Sequence, residues 1–127
     1  MKTLMAAIAI LLATATPSLA GFTNVDTANC NKDATGAGYC YGTMRGFKAD
    51  PNPNSRASFY LNHQGAVIFS SYLGDKYFSC VFPTNAQTTA FASVAGQTNG
   101  FFVVNFDRNG VCTYGYAYSG SDYGSSY

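Results

Sequence analysis

Hydrophobic and polar positions alternate most clearly in the middle of the chain. Over residues 57–61, Ala57, Phe59 and Leu61 fall on one face and Ser58 and Tyr60 on the other, the period-two mark of a half-buried strand. Asn62-His63-Gln64-Gly65 is a turn-like break, residues 66–73 read as a second strand, 74–76 as a tight turn, and 77–82 as a third strand. Connections this short make successive strands antiparallel neighbours. Upstream, residues 39–49 form the first strand candidate. Gly42 and Gly46 within it mark a bulge or a close backbone approach, and the prolines and asparagines of 50–56 mark a loop. Together these predict an antiparallel meander over about 39–82.

The pattern then changes period. After Pro83, Thr84 and Gln87 have the spacing of a capping box, Ala86, Ala90, Phe91 and Val94 follow at helical spacing, and Gly96 sits where a helix would stop. The spacing predicts a short helix at about 85–95, weakened by the β-branched Thr88 and Thr89. Beyond it, Phe102, Val104 and Phe106 alternate with Phe101, Val103 and Asn105, and Asn109-Gly110 is the dipeptide favoured in type I′ turns. A hairpin over about 101–118 follows, whose return strand places Cys112, Tyr114, Tyr116 and Tyr118 on one face, Tyr114 packed inward. Residues 119–127, mostly serine, glycine and tyrosine, have no apolar period and read as a flexible tail. Residues 21–38 are polar and aperiodic and read as an irregular lead-in. The fold class is α+β and β-rich, with an all-β sandwich or barrel as the alternative if residues 85–95 are not helical.

The first twenty residues stand apart. Lys2, an apolar run from Leu4 to Ala13, Pro17, and small residues at Ser18 and Ala20 have the layout of a cleaved secretory leader, too short in its apolar part to span a bilayer. No later segment is long and apolar enough to cross a membrane as a helix. The domain is expected over 21–118, exported to a periplasm or to the exterior. Four cysteines suit that destination. The short loop between Cys30 and Cys40 doubles back and favours their pairing, which leaves Cys80 with Cys112. Without a Cys-x-x-Cys, and with one histidine in the chain, the cysteines do not read as a metal site.

Charge changes the picture mainly by its scarcity. The chain has seven basic and six acidic residues, and the basic ones form no stripe, which argues against nucleic acid and anionic membranes as partners. Catalytic chemistry is thinly provided for. His63 stands alone in a turn, with Asp75 and Asp107 as conceivable partners for a small hydrolase and no Gly-x-Ser-x-Gly around any serine. Asp50, Asp75 and Asp107 fall in turns, where aspartate bonds its own backbone, and none is set in an apolar run that would raise its pKa. Asp50, Asn52 and Asn54 begin like a calcium loop, but Ser55 and Leu61 stand where glycine and a bidentate glutamate are required, so the segment reads as a rigid turn.

The aromatic load is the strongest functional signal. Ten tyrosines and ten phenylalanines are more than the core of so short a chain needs, and tyrosine joins an apolar ring to a polar tip. Tyr60, Tyr72, Tyr116 and Tyr118 are the candidate ligand-binding residues. The expected role is a non-enzymatic exported module, without cofactor, that binds a cell-surface glycan, polysaccharide or protein ligand; the alternatives are a self-associating extracellular structural protein and a small secreted hydrolase using His63. Action as an inhibitor or toxin would be one form of that role.

Overall fold

The computed structural model describes residues 26–97 and 100–120. The leader expected over 1–20 and residues 121–127 of the expected tail lie outside them. Seven strands and two helices follow in the order β1 (Ala28–Lys32), β2 (Gly38–Thr43), α1 (Met44–Ala49), β3 (Arg56–Leu61), β4 (Val67–Leu73), β5 (Lys76–Val81), α2 (Ala86–Ala95), β6 (Gly100–Phe106) and β7 (Cys112–Ser119). The architecture is α+β and β-rich. Strands β3-β4-β5 form a three-stranded antiparallel meander, and β1-β2-β6-β7 form a second antiparallel sheet of four. Both sheets are open, so the barrel alternative is not adopted. Strand β2 lies beside β6, and the meander proper begins at β3.

Three local expectations change. The lead-in contains β1, recruited because Cys30 lies opposite Cys40 in the β1–β2 ladder and is bonded to it. The strand expected over 39–49 ends at Thr43, whose hydroxyl accepts from Gly46 N–H at 2.9 Å and caps α1. That fully buried hydroxyl also donates to Asp26 at 3.0 Å, and Asp26 in turn pairs with Arg45 at 3.4 Å. The glycines of this segment do mark a close approach. A Cβ on Gly42 or Gly46 would lie 2.2 or 2.1 Å from the Thr27 carbonyl oxygen.

Helix α2 occupies nearly the expected residues, but its cap is one residue later. Asn85 accepts from Thr88 N–H at 2.9 Å, and Thr88 Oγ1 accepts from Asn85 N–H at 3.4 Å, so the capping box is Asn85/Thr88 and not Thr84/Gln87. Thr88 thus supports the helix by its hydroxyl more than it weakens it by branching. The helix packs through Phe91, Ala92 and Ala95, while Ala86 and Ala90 face outward.

The sheets meet face to face over an aromatic core. Phe102 of β6 lies 5.2 Å from Phe59 and 5.6 Å from Phe69 of the meander, both edge-on, and 5.7 Å from Phe47 of α1. Phe91 of α2 stands 5.4 Å from Phe59 and 5.1 Å from Phe82, above the space left by Gly115 of β7. The second disulfide, Cys80–Cys112, ties β5 to β7 as expected, beside a parallel bridge from Val81 to Val111. Ser71, fully buried, sets its hydroxyl 3.4 Å from the Cys30 sulfur and 3.5 Å from that of Cys40. Every buried side-chain polar atom among the described residues has a partner.

Two stability predictions follow from this packing. Replacing Phe102 with Ala leaves a void at the junction of both sheets and α1 and should cost about 3–5 kcal/mol in chemical denaturation. Gly46→Ala drives a methyl into the Thr27 backbone and should cost about 1–3 kcal/mol by the same measurement, with strand β1 losing amide protection first.

Candidate aromatic binding face

Strand β6 is the reference for the site. Phe102, Val104 and Phe106 point into the core, so Phe101, Val103 and Asn105 point out. Across it, Tyr39 and Tyr41 of β2 lie opposite Asn105 and Val103, and on the other side Tyr114 and Tyr116 of β7 lie opposite the same two residues. Cross-strand partners share a face. Two rows therefore cross the sheet, Asn31–Tyr39–Asn105–Tyr114 and Asn29–Tyr41–Val103–Tyr116, with Phe101 and Tyr118 paired in a third.

Cys112 does not share a face with the tyrosines that follow it. The register shifts between Asn105 and Phe106, so that Phe106 pairs with Cys112 and Asn105 with Tyr114, leaving Thr113 as the extra residue of a bulge. The bulge reverses the phase of the strand: Cys112 points inward to its disulfide, and Tyr114, expected to pack, is 51 % exposed. Gly115 and Ala117 take the inward positions beneath α2. Alternation alone carries no signal for a bulge, which is why the sequence reading placed all four residues on one face.

The turn that feeds β7 is also not the expected two-residue type I′. Gly110 N–H donates to Asp107 C=O at 3.2 Å, and Gly110 itself has φ +76°, a turn centred on Arg108–Asn109 with a left-handed glycine after it. The Asp107 carboxylate accepts from the N–H groups of Asn109 and Val111 at 2.8 and 3.0 Å. The same arrangement recurs at Asp33–Ala37 and Asn62–Ala66, with Gly36 and Gly65 left-handed. The Asx-x-x-Gly spacing common to the three loops is a signal present in the sequence.

The four candidate tyrosines divide between opposite sides of the molecule. Tyr116 and Tyr118 lie on the outer face of the four-stranded sheet, Tyr60 and Tyr72 on the outer face of the meander. The meander face is not a continuous aromatic surface. A row of Ser58, Ser70 and Ser79 crosses it, and the Arg56 guanidinium lies 4.2 Å over the Tyr72 ring, which also packs 4.8 Å from Tyr77. The Ser70 and Ser79 hydroxyls lower the pKa of Tyr77 below its ordinary value. Sequence reasoning missed Tyr39, Tyr41 and Tyr114 as members of one site with Tyr116, because only β-sheet order brings β2 within reach of β7.

The groups considered for catalysis are dispersed or occupied. His63 lies exposed in the β3–β4 turn and Asp75 in the β4–β5 turn, at opposite ends of β4. Asp107 is held by its own loop. Asp50 accepts from Asn52 N–H at 2.9 Å and from the Ser55 hydroxyl at 2.8 Å, and Asn52 accepts from Asn54 N–H at 2.9 Å, so the oxygens of the calcium-like segment build a turn. No cluster of three or more histidine, cysteine, aspartate or glutamate side chains suited to a metal occurs among the described residues. None of their helices is long and apolar enough to cross a membrane. Comparison with protein-family models, curated proteins and solved structures finds no match to this chain.

Asp33 flanks the aromatic face at the β1–β2 loop. Its Oδ1 accepts from the Thr35 hydroxyl at 2.6 Å and the Thr35 N–H at 2.8 Å, and these bonds hold its pKa below the ordinary 3.8. The ionised form thus favours the folded loop. Its contribution should be complete above pH 3.8 and disappear as the pH falls through the lowered value. Carboxyl NMR titration should show Asp33 protonating below 3.8, with Thr35→Val moving it back towards that value.

Proposed function

We propose that this protein is an exported, non-enzymatic binding module that attaches to an extracellular glycan or protein surface through the outer face of its four-stranded sheet. The observation that carries the reading is the phase change at Thr113, which turns Tyr114 and Tyr116 outward into line with Tyr39 and Tyr41. Exposing tyrosines where a serine or threonine would serve a solvated sheet forgoes burial, so their presence calls for a ligand. Two disulfides suit an oxidising compartment, and the leader-like first twenty residues support export, to a periplasm or to the exterior. The engaged state of Asp50 and Asp107, and the separation of His63 from Asp75, favour binding over hydrolysis.

The test is co-sedimentation of the oxidised protein with insoluble polysaccharides and with whole cells, alongside the protein alone. The wild type should pellet with at least one surface and stay in solution by itself. Tyr116→Ala should reduce retention about tenfold or more at unchanged thermal midpoint, a size typical of losing an aromatic anchor. Tyr60→Ala, on the opposite side, should leave it unchanged. Equal loss in both variants, or retention of neither surface by the wild type, would defeat the reading.

A further inference from the structure

The aromatic face has a shape that narrows its ligand, and the inference here rests on the binding-module reading. Neighbouring strands lie about 4.8 Å apart, so β2 and β7, which flank β6, stand about 10 Å from each other. Tyr39 and Tyr41 rise on one side, and Tyr114 and Tyr116 on the other. Between them the shorter side chains Val103 and Asn105, both half-buried, form a floor. The result is a shallow trough that runs along β6. Along one wall the Tyr39 and Tyr41 rings are within 17° of parallel with centroids 6.0 Å apart, one ring-sized step after another.

The polar groups along the trough are neutral amides, with the Asp33 carboxylate at its end. Asn31 and Asn105 flank Tyr39 in the first row, where a hollow of about 310 Å³ opens among Asn31, Asp33, Tyr39 and Asn105. Every outward side chain of the four strands is neutral. Asp33, which lines that hollow, has its Oδ1 engaged by Thr35. Arg108 and Asp33 stand at the loop end of the trough, so along the rings a polyanion would find no row of cations and a polycation no row of carboxylates.

Area also counts against a protein partner. Tyr39, Tyr114 and Tyr116 are 39 %, 51 % and 47 % exposed. At roughly 200 Å² per ring system each offers about 100 Å². With Tyr118 at 40 %, the half-buried Tyr41 and Phe101 and the floor, the patch still falls short of the roughly 800 Å² per side that a stable protein complex buries. A slender ligand, repeated along its length and engaged on two sides, makes better use of it.

We propose that the trough binds an uncharged, linear polysaccharide whose chain runs along β6, its sugar rings against Tyr39, Tyr41, Tyr114 and Tyr116 and its hydroxyls on the amides of Asn31 and Asn105. Sugar rings present apolar C–H faces to the tyrosines; the Asn105 amide can both donate to and accept from hydroxyl groups, and Asn31, whose Oδ1 holds the Lys32 N–H at 2.8 Å, donates through its NH2. Binding should strengthen with chain length until the rows are spanned and then level off. It should be insensitive to salt, since no ion pair is made.

The experiment titrates the full oxidised protein, by calorimetry and amide NMR, with neutral gluco-, manno- and xylo-oligosaccharides of increasing length and with oligogalacturonate as an anionic control. At least one neutral series should bind with a length plateau, unaffected by salt, and shift the amides of β6. Tyr41→Ala and Tyr116→Ala should each weaken it about tenfold or more, while Tyr116→Phe, which keeps the ring, should stay within about twofold. Binding of the anionic series alone, or affinity that falls with salt, overturns the proposal. Tyr116-dependent self-association in sedimentation, with no sugar bound, also overturns it and makes a second copy the ligand. If no oligosaccharide binds while whole cells still retain the protein through Tyr116, the glycan proposal fails and the module reading stands. If cells retain nothing either, both fail.

Discussion

Phe102 stands where the two sheets and the first helix meet, and much of the molecule is arranged by the need to bury it. It is fully buried, and the rings of Phe47, Phe59 and Phe69 close on it from three different elements. In a strand, side chains alternate faces without exception unless the backbone bulges. Fixing Phe102 inward therefore sends Val104 and Phe106 inward and Val103 and Asn105 outward. The core and the floor of the trough are two readings of one strand.

Strand β7 meets a conflict that β6 does not. Cys112 must face inward to reach Cys80, yet strict alternation would then aim three tyrosines at the layer where Phe82 and Phe91 already sit. Gly115 shows how little room remains there: a methyl on it would lie 3.1 Å from both rings. One extra residue at Thr113 resolves the conflict. The disulfide keeps its inward cysteine, glycine and alanine fill the shallow inner positions, and the tyrosines emerge beside those of β2. A packing constraint in the core thereby creates the aromatic surface outside.

That surface is more informative than the ionisable groups. Asp33, Asn62 and Asp107 are used for turns, where a carboxylate or amide oxygen receives the backbone N–H two residues on and a left-handed glycine closes the loop. This usage holds hairpins in register and leaves the sheet face neutral. A small domain with a narrow stability margin gains rigidity from two disulfides and three such loops. A rigid sheet is a suitable mount for rings that must hold a fixed spacing.

Much was determined by the sequence itself. The alternation at 57–61 and 101–106, the turns between strands, the helix after Pro83 and both disulfide pairings follow from local period and from the short Cys30–Cys40 loop. The repeated Asx-x-x-Gly loops are equally local and could be read from spacing alone. Thr43 as a helix cap was less visible, since the glycine in Met44–Ala49 opposes a helix that only burial of Phe47 makes worthwhile. The tertiary structure decided the rest: that β2 pairs with β6, that β7 changes phase at Thr113, and that Tyr60 and Tyr72 face away from Tyr116 and Tyr118. Strand order and bulges depend on which inner positions have room for a side chain. That room is made by residues distant in sequence, so no local pattern carries it.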